Sequence, residues 1–160
     1  MSTREHFVKC FQDEKPRFVR VLRAVPADKA GYRPHEKSAS AGGLVWLLAS
    51  ELSDACKVVD HGKVDFVMPP EPPVGQAVAA YERNAGELEK RLAKLDDAAW
   101  GKNAKFVVDG NVAWETTLGE MLWGFLFDAI HHRGQLSTYL RPMGAKVPSI
   151  YGPSGDDPGM

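Results

Sequence analysis

Hydrophobic residues recur along the chain at the three- and four-residue spacing of amphipathic helices, in four long stretches. The first begins after Ser2, which is placed to form a capping box with Glu5, and it ends at Pro26. Pro16 interrupts this stretch, so the helix either kinks there or restarts with Asp13 as its cap. The first stretch therefore predicts one helix or two consecutive ones.

The second and third stretches flank a proline-rich connector. The second has Ser38 or Ser40 available as its N-terminal cap and ends at Gly62. The connector, residues 68–73, contains four prolines and predicts a stiff extended segment that crosses one end of a bundle. The third stretch, residues 74–95, is apolar on one side and mostly charged on the other, which is typical of a surface helix.

A short β-hairpin is predicted over residues 106–114. Two brief apolar runs flank Asp109-Gly110, a pair that favours a type I′ turn. A lone hairpin is only marginally stable in water. We therefore expect this one to pack against the helices.

The fourth helical stretch opens with a second capping-box pair, Thr117 and Glu120, and closes at Gly144. Residues 145–160 are rich in glycine and proline and predict an extended C-terminal tail. The order of elements predicts a single all-α domain over residues 1–160. Its architecture is a four-helix bundle with a long crossover between helices 2 and 3 and a small β-hairpin before helix 4.

Composition excludes several classes of partner. The chain has 160 residues, with 20 basic against 21 acidic side chains and a net charge of -1. This balance gives no overall attraction to nucleic acid or anionic lipid. No apolar run reaches the roughly 18 residues of a transmembrane helix, and the first nine residues lack the apolar core of a signal peptide. With Cys10 and Cys56 as the only cysteines, we predict a reduced cytoplasmic protein without a disulfide framework.

Two polar residues fall on the apolar side of the predicted fourth helix. At about 100° per residue, Asp128 and His132 lie within roughly 60° of Phe125, and they are i, i+4 neighbours. A buried carboxylate is costly without a partner. The pair is therefore either a hydrogen-bonded support of the bundle or part of a divalent metal site. The spacing alone does not decide, because catalytic metal sites usually take three protein ligands.

The same helix carries a longer motif. Residues 131–141 read His-His-Arg-Gly-Gln-Leu-Ser-Thr-Tyr-Leu-Arg, and residues 147–153 read Val-Pro-Ser-Ile-Tyr-Gly-Pro. Together with residues 33–38 and 44–46, these segments resemble the DinB-like (DinB/YfiT) family in order along nearly the whole chain. The resemblance implies a helix bundle, often a homodimer, in which three histidines hold zinc, nickel or a similar ion. One histidine comes from helix 2 and two come from helix 4.

Placed on this sequence, the three histidine positions of the family fall on Leu47, Asp128 and His132. Leu47 cannot bind a metal ion, but Glu51 lies one turn further along the same helix and could supply an oxygen ligand. The candidate ligands are therefore Asp128, His132 and Glu51. The residues expected around the pocket or behind the ligands are Leu47, His131, Arg133 and Gln135.

Two functions stay open at this point. The leucine at position 47 favours an altered or lost metal site in a bundle that binds a small-molecule ligand. The alternative is a metal-dependent enzyme of the thiol S-transferase, isomerase or hydrolase type that uses Asp128 and His132. For that alternative, the family resemblance implies a low-molecular-weight thiol as a partner. Neither function includes a nucleic-acid or membrane partner.

Overall fold

The computed structural model describes residues 1–159, and long helices make up more than half of them. The helices are α1 (Thr3–Arg23), α2 (Ala41–His61), α3 (Val74–Leu92), the short α4 (Asp97–Trp100) and α5 (Leu118–Leu140). The helix predicted as the fourth is α5, because the four-residue α4 precedes it. The fold is mostly helical, as predicted. None of the helices among the described residues is long and apolar enough to cross a membrane.

The helix starts follow the local signals in the sequence. Ser2 and Glu5 form the predicted capping box of α1, and Thr117 and Glu120 form that of α5. Of the two candidates for α2, the cap is Ser40, whose hydroxyl accepts from the backbone N–H of Gly43 at 3.0 Å. These contacts satisfy backbone donors that the first turn of a helix leaves without an intrahelical partner.

One alternative for the first stretch is wrong. Helix α1 runs through Pro16 as a single element and does not restart there. Proline lacks the N–H that would donate to the preceding turn, but Pro16 lies on the exposed side of α1, where water can take the freed carbonyl. The third helix also ends earlier than its apolar pattern, at Leu92, so Leu95 lies outside it.

Three strands form one small sheet. They are β1 (Lys63–Asp65), β2 (Asn103–Val108) and β3 (Asn111–Thr117), in the order β1-β2-β3. Strands β2 and β3 are the predicted hairpin, and Asp109 and Gly110 between them have φ of 50° and 78°. Two positive φ values in a two-residue loop define the type I′ turn that these residues favour. The hairpin prediction is confirmed.

Strand β1 was not predicted. It follows Gly62 directly and pairs parallel to β2, with Val64 opposite Phe106. Three residues are too few to show an alternating pattern. The strand forms because β2, more than forty residues later in the sequence, lies beside it and supplies hydrogen-bond partners for its backbone. The predicted hairpin is therefore part of a larger sheet.

The four long helices enclose the core. Helix α2 contacts α3 and α5, and α1 contacts the same two helices. The sheet lies against the remaining edge, since β1 contacts α2 while β2 and β3 contact α5. This arrangement places the hairpin over the boundary between α2 and α5. The side chains that line that boundary are the ones that matter for function.

A buried ionic network ties both ends of the chain to the core. Arg133 on α5 is 2% exposed, and its guanidinium donates to the Glu14 carboxylate of α1 and to the Tyr151 hydroxyl at 2.6 Å. The Tyr151 hydroxyl in turn donates to Glu14 at 3.0 Å. The Arg133 guanidinium also lies 4.5 Å above the ring of Phe18. Arg133 is therefore a core residue and does not flank the pocket as we expected.

The C-terminal segment is folded back onto the helices. Residues 141–159 form no helix or strand, yet the carboxylate of Asp156 accepts from Arg141 and from the backbone N–H of Val147. The carbonyl of Ile150 accepts from Arg17 of α1 at 3.2 Å. The tail predicted over residues 145–160 is thus ordered by specific polar contacts through residue 159, and Met160 lies outside the described residues.

Candidate metal centre

Glu51, Asp128 and His132 come together at the boundary between α2 and α5. Each offers one ligand atom, and these atoms all lie within 4.8 Å of one another. Asp128 and His132 stand one turn apart on α5, and Glu51 projects from the neighbouring α2. The i, i+4 spacing brings the first two together, while the packing of the two helices adds the third.

The imidazole of His132 is held by polar partners at both nitrogens. Its Nε2 lies 3.2 Å from the Asp128 carboxylate, and its Nδ1 donates to the amide oxygen of Gln135 at 2.9 Å. A proton kept on Nδ1 by Gln135 leaves the Nε2 lone pair free to bind a metal ion. Metal-binding histidines commonly have such a partner on the other ring nitrogen.

Glu51 is the buried carboxyl group of the three. Its Oε2 is inaccessible to solvent and has no hydrogen-bond partner among the described residues. Burial raises the pKa of Glu51 to about 10, and a hydrogen bond to Asp128 and the negative charges of Asp128 and Asp54 add to the shift. A divalent ion beside Glu51 would offset both the burial and the repulsion. Two carboxylates and one imidazole are also ligands that zinc, iron or manganese accept. The residues present therefore fit a divalent metal ion.

An apolar cleft of about 330 Å³ opens beside these ligands. Glu51 lies on its floor and Asp128 at its rim, and three aromatic rings form one wall. The ring centroids of Phe66 and Phe106 are 5.7 Å apart, and those of Phe106 and Phe125 are 5.9 Å apart. An apolar cavity with a few convergent polar groups is the usual form of a small-molecule site.

The hairpin contacts helix α5 closely at the edge of the cleft. The indole of Trp114 on β3 lies against Gly124 of α5, where a Cβ would stand 2.3 Å from a ring carbon. Glycine at this position lets the indole approach the helix backbone. Trp114 is thereby part of the cleft wall, although it remains 38% exposed.

Comparison with known proteins identifies the chain. Residues 68–158, more than half of its length, match the model of the DinB family. The chain belongs to the DinB family. The matched region contains Asp128, His132 and Gln135, whereas Glu51 lies before it. No curated protein matches the sequence.

Solved structures share the fold of this DinB-family protein at low identity. A DinB-like protein from Bacillus subtilis is 20% identical with a TM-score of 0.70, covering 88% of this chain and 93% of that one. A DinB-like protein from Bacillus cereus is 14% identical with a TM-score of 0.76, covering 92% and 97%. The mycothiol-dependent maleylpyruvate isomerase is 12% identical with a TM-score of 0.57, covering 92% of this chain and 63% of the isomerase.

The other residues singled out from the sequence of this DinB-family protein lie in different surroundings. Leu47 lines the cleft beside Glu51 and Asp128. His131 is exposed, and its ring packs edge-on against His132 at 5.2 Å between centroids, outside the three-ligand group. Gln135 reaches the site only through His132.

The expected burial of Asp128 is wrong. Its side chain is 54% exposed at the rim of the cleft, because position 128 falls on the side of α5 that faces the sheet and solvent. The buried carboxyl group is Glu51, contributed by α2. The helical spacing correctly paired Asp128 with His132 but placed the pair too deep.

The roles of Glu14, Trp114 and Gly124 in the core and the cleft were not predicted from the sequence. Glu14 had a usable signal, since it continues the apolar spacing of α1 between Phe11 and Phe18. A charged residue on such a stripe predicts a buried partner. Trp114 and Gly124 carried no comparable signal, because their contact depends on how the hairpin is seated on α5.

Proposed function

We propose that this DinB-family protein binds one divalent metal ion through Glu51, Asp128 and His132 and acts on a small molecule held in the adjoining cleft. The observation that carries the proposal is the meeting of three ligand atoms within 4.8 Å, one of them on the buried carboxyl group of Glu51, whose Oε2 has no hydrogen-bond partner among residues 1–159. A buried carboxyl oxygen without a hydrogen-bond partner is costly.

The proposed site replaces the family's histidine on α2 by the carboxylate of Glu51. Leu47 stands at the position of that histidine and adds an apolar surface to the cleft. Glu51, one turn further along, reaches the same point from the same helix. We infer an altered metal site with a harder, oxygen-rich donor set.

The bound ion and the residues around it would have separate roles in this site. When bound, a divalent ion supplies Lewis acidity for an oxygen or sulfur atom of the substrate or for a water molecule. Gln135 holds the His132 ring and its tautomer, and the aromatic wall excludes water from the apolar part of the substrate. Asp128, at the rim, is the ligand most accessible to an entering molecule.

The fold supports a proposal about reaction type. A mycothiol-dependent maleylpyruvate isomerase shares it, which is in keeping with a low-molecular-weight thiol as a partner here. We propose a metal-dependent isomerase, thiol S-transferase or hydrolase within a four-helix bundle whose long crossover joins α2 to α3. Its cytoplasmic location and its assembly as a homodimer stay predictions.

Metal analysis of matched variants tests the proposal. The protein is purified without a metal-affinity tag, and zinc, nickel, iron and manganese are measured in the wild type and in Glu51→Gln, Asp128→Asn, His132→Ala and His131→Ala. We expect one ion per chain, lost from the first three variants and retained in His131→Ala, because His131 lies outside the ligand group. Absence of bound metal after dialysis against each ion would overturn the proposal.

A gain-of-ligand variant tests the position of the site. Leu47→His places an imidazole beside Glu51 and Asp128. We expect tighter metal binding than in the wild type, measured by competition with a chromogenic chelator. An unchanged affinity would contradict the placement of Leu47 at the family's histidine position.

A metal-free binding protein is the second candidate function. It is favoured by one contact, the 3.2 Å separation between Nε2 of His132 and the Asp128 carboxylate, which is an ion pair without a metal ion when both ring nitrogens carry a proton. In that case the cleft takes a small ligand, and His132→Ala lowers stability without any change in metal content. The metal measurement above distinguishes the two candidates.

A further inference from the structure

A second cleft, of about 200 Å³, lies on the other side of α2. Helix α3 and the proline-rich connector form its other walls. Asp54 is the only residue that lines both this cleft and the one beside the candidate metal ligands. The two clefts therefore have almost entirely different linings, and the proposed metal chemistry leaves the other polar groups of the second cleft unused.

Ser50 marks the floor of this second cleft. The residue is 8% exposed, and its hydroxyl oxygen is inaccessible to solvent and has no hydrogen-bond partner among the described residues. A buried hydroxyl normally finds a partner, often a carbonyl of its own helix. The hydroxyl of Ser50 is thus a buried polar group without a partner behind the cleft wall, and an occupant reaches it only when the neighbouring side chains move aside.

The charge of the second cleft is positive. Arg83 of α3 is exposed at its edge and forms no ion pair with any carboxylate in residues 1–159. Lys57 of α2 also lines it and donates to Asp54 at 2.8 Å, so these two charges offset each other. The guanidinium of Arg83 remains as the uncompensated charge. An arginine fork binds a carboxylate through two parallel hydrogen bonds.

The opposite wall is flat and apolar. The indole N–H of Trp46 donates to the carbonyl of Pro69 at 2.9 Å, which fixes the ring against the connector. Val67 continues this wall and is 69% exposed. An indole held by a hydrogen bond at its edge presents its face to an apolar or aromatic partner. The second cleft therefore has one charged end and one apolar side.

We propose that the second cleft is a binding site for a small carboxylic acid with an apolar body. The carboxylate binds Arg83, a small movement of the lining side chains lets it also reach the Ser50 hydroxyl, and the body lies against Trp46. Drug-sized ligands occupy cavities of roughly 300–1,000 Å³. A cleft of about 200 Å³ selects a smaller molecule, of the size of a single aromatic ring with one carboxylate.

The test is a titration of the full chain with benzoate, followed by NMR or calorimetry, with benzamide as the neutral analogue. We expect one saturable site for benzoate and none for benzamide. Arg83→Gln should weaken benzoate binding by at least about tenfold, as expected for loss of a charge-assisted hydrogen bond. Arg20→Gln removes the same charge from an exposed position of α1, outside the cleft, and should change nothing.

Two further variants test whether benzoate binds in the second cleft and not at the candidate metal ligands. Ser50→Ala should weaken benzoate binding while the melting temperature stays the same or rises, because the lost hydroxyl had no partner. His132→Ala should retain benzoate binding, which excludes a carboxylate bound at the metal ligands. Arg83→Gln should also retain the metal content of the wild type, so this proposal and the metal proposal can fail independently.

Three results would overturn the proposal. They are equal binding of benzamide and benzoate, unchanged benzoate affinity in Arg83→Gln, and loss of binding in His132→Ala. Tighter binding of inorganic phosphate than of benzoate would also overturn it, since phosphate has no apolar body to contact Trp46.

Discussion

The amide oxygen of Gln135 accepts a hydrogen bond from Nδ1 of His132 at 2.9 Å, one turn further along α5. This contact fixes both the ring orientation and the tautomer of the one imidazole in the ligand group. It leaves Nε2 turned toward Asp128. Gln135 is not one of the candidate ligands, but its hydrogen bond to Nδ1 leaves Nε2 as the nitrogen of His132 that can bind an ion.

Replacing Gln135 tests this role. In Gln135→Ala the imidazole is free to rotate and to change tautomer, so we expect metal affinity to fall by about 10–100-fold with little loss of stability. The measurement is competition with a chelator at fixed pH. Gln76→Ala on the exposed side of α3 is the matched control and should leave the affinity unchanged.

Glu51 makes the stability of the ion-free protein depend on pH. Its pKa rises from the usual 4.5 to about 10 in the folded state, chiefly through burial. Between these values the folded chain holds a proton that the unfolded chain has lost, so this residue lowers the free energy of unfolding as pH rises. Urea unfolding in the presence of a chelator, between about pH 5 and 9, should show this decline in the wild type.

The decline should be absent or much reduced in Glu51→Gln, because the amide does not ionise. All other titrating groups are shared by the two proteins, so the difference between their profiles belongs to Glu51. Parallel pH profiles of the two proteins would contradict the assignment.

The buried pair of Arg133 and Glu14 is expected to dominate the stability of the chain ends. Arg133→Met removes the buried partner of Glu14 and leaves its carboxylate paired only with Arg17 at 2.7 Å, whose side chain is 29% exposed. We expect a loss in urea unfolding of no more than the roughly 3–5 kcal/mol that breaking a buried ion pair costs. Arg4→Met is the control, because its pair with the largely exposed Asp97 should be worth less than about 1 kcal/mol.

A double variant separates pairing from packing at the same position. Glu14→Leu combined with Arg133→Met replaces both charges by apolar groups, which is often close to neutral in a core. We expect it to recover much of the stability lost in Arg133→Met. A double variant less stable than the single one would show that Tyr151 depends on both charges.

Two glycines of α5 should respond oppositely to the same substitution. Gly134→Ala meets no atom within 4 Å and should stabilise the protein by about 0.5–1 kcal/mol, the usual gain of alanine over glycine in a helix. Gly124→Ala places a Cβ 2.3 Å from the Trp114 ring and must displace it. We expect no gain in stability there and a changed tryptophan fluorescence. Equal gains in both variants would contradict the contact.

Local signals in the sequence were enough for most of the elements. The capping boxes at Ser2 and Thr117 and the turn at Asp109 were predicted correctly, because each depends on residues within four positions of one another. The pairing of Asp128 with His132 was also predicted correctly, because these residues are four positions apart on one helix. Periodicity also predicted the four long helices, with errors of a few residues at their ends.

Only the tertiary structure decided how these elements meet. Strand β1 exists because β2 returns beside it, and Trp114 lines the cleft because the hairpin is seated on Gly124. The same holds for Arg133, whose side of α5 faces Glu14 and not the pocket. These outcomes depend on the rotation of each helix about its axis, which the packing of many distant side chains sets together.

For the candidate site, too, some features follow from the sequence alone and others only from the tertiary structure. The sequence by itself determined that His132 and Asp128 are neighbours, and it predicts that Leu47 takes a position where the family has a histidine and that the chain folds without a metal ion. The tertiary structure decided that the buried carboxyl group of Glu51 lies beside these two residues and that Asp128 lies at the rim of the cleft. The spacing along one helix follows from its pitch, whereas the register between α2 and α5 follows from the core that both of them bury.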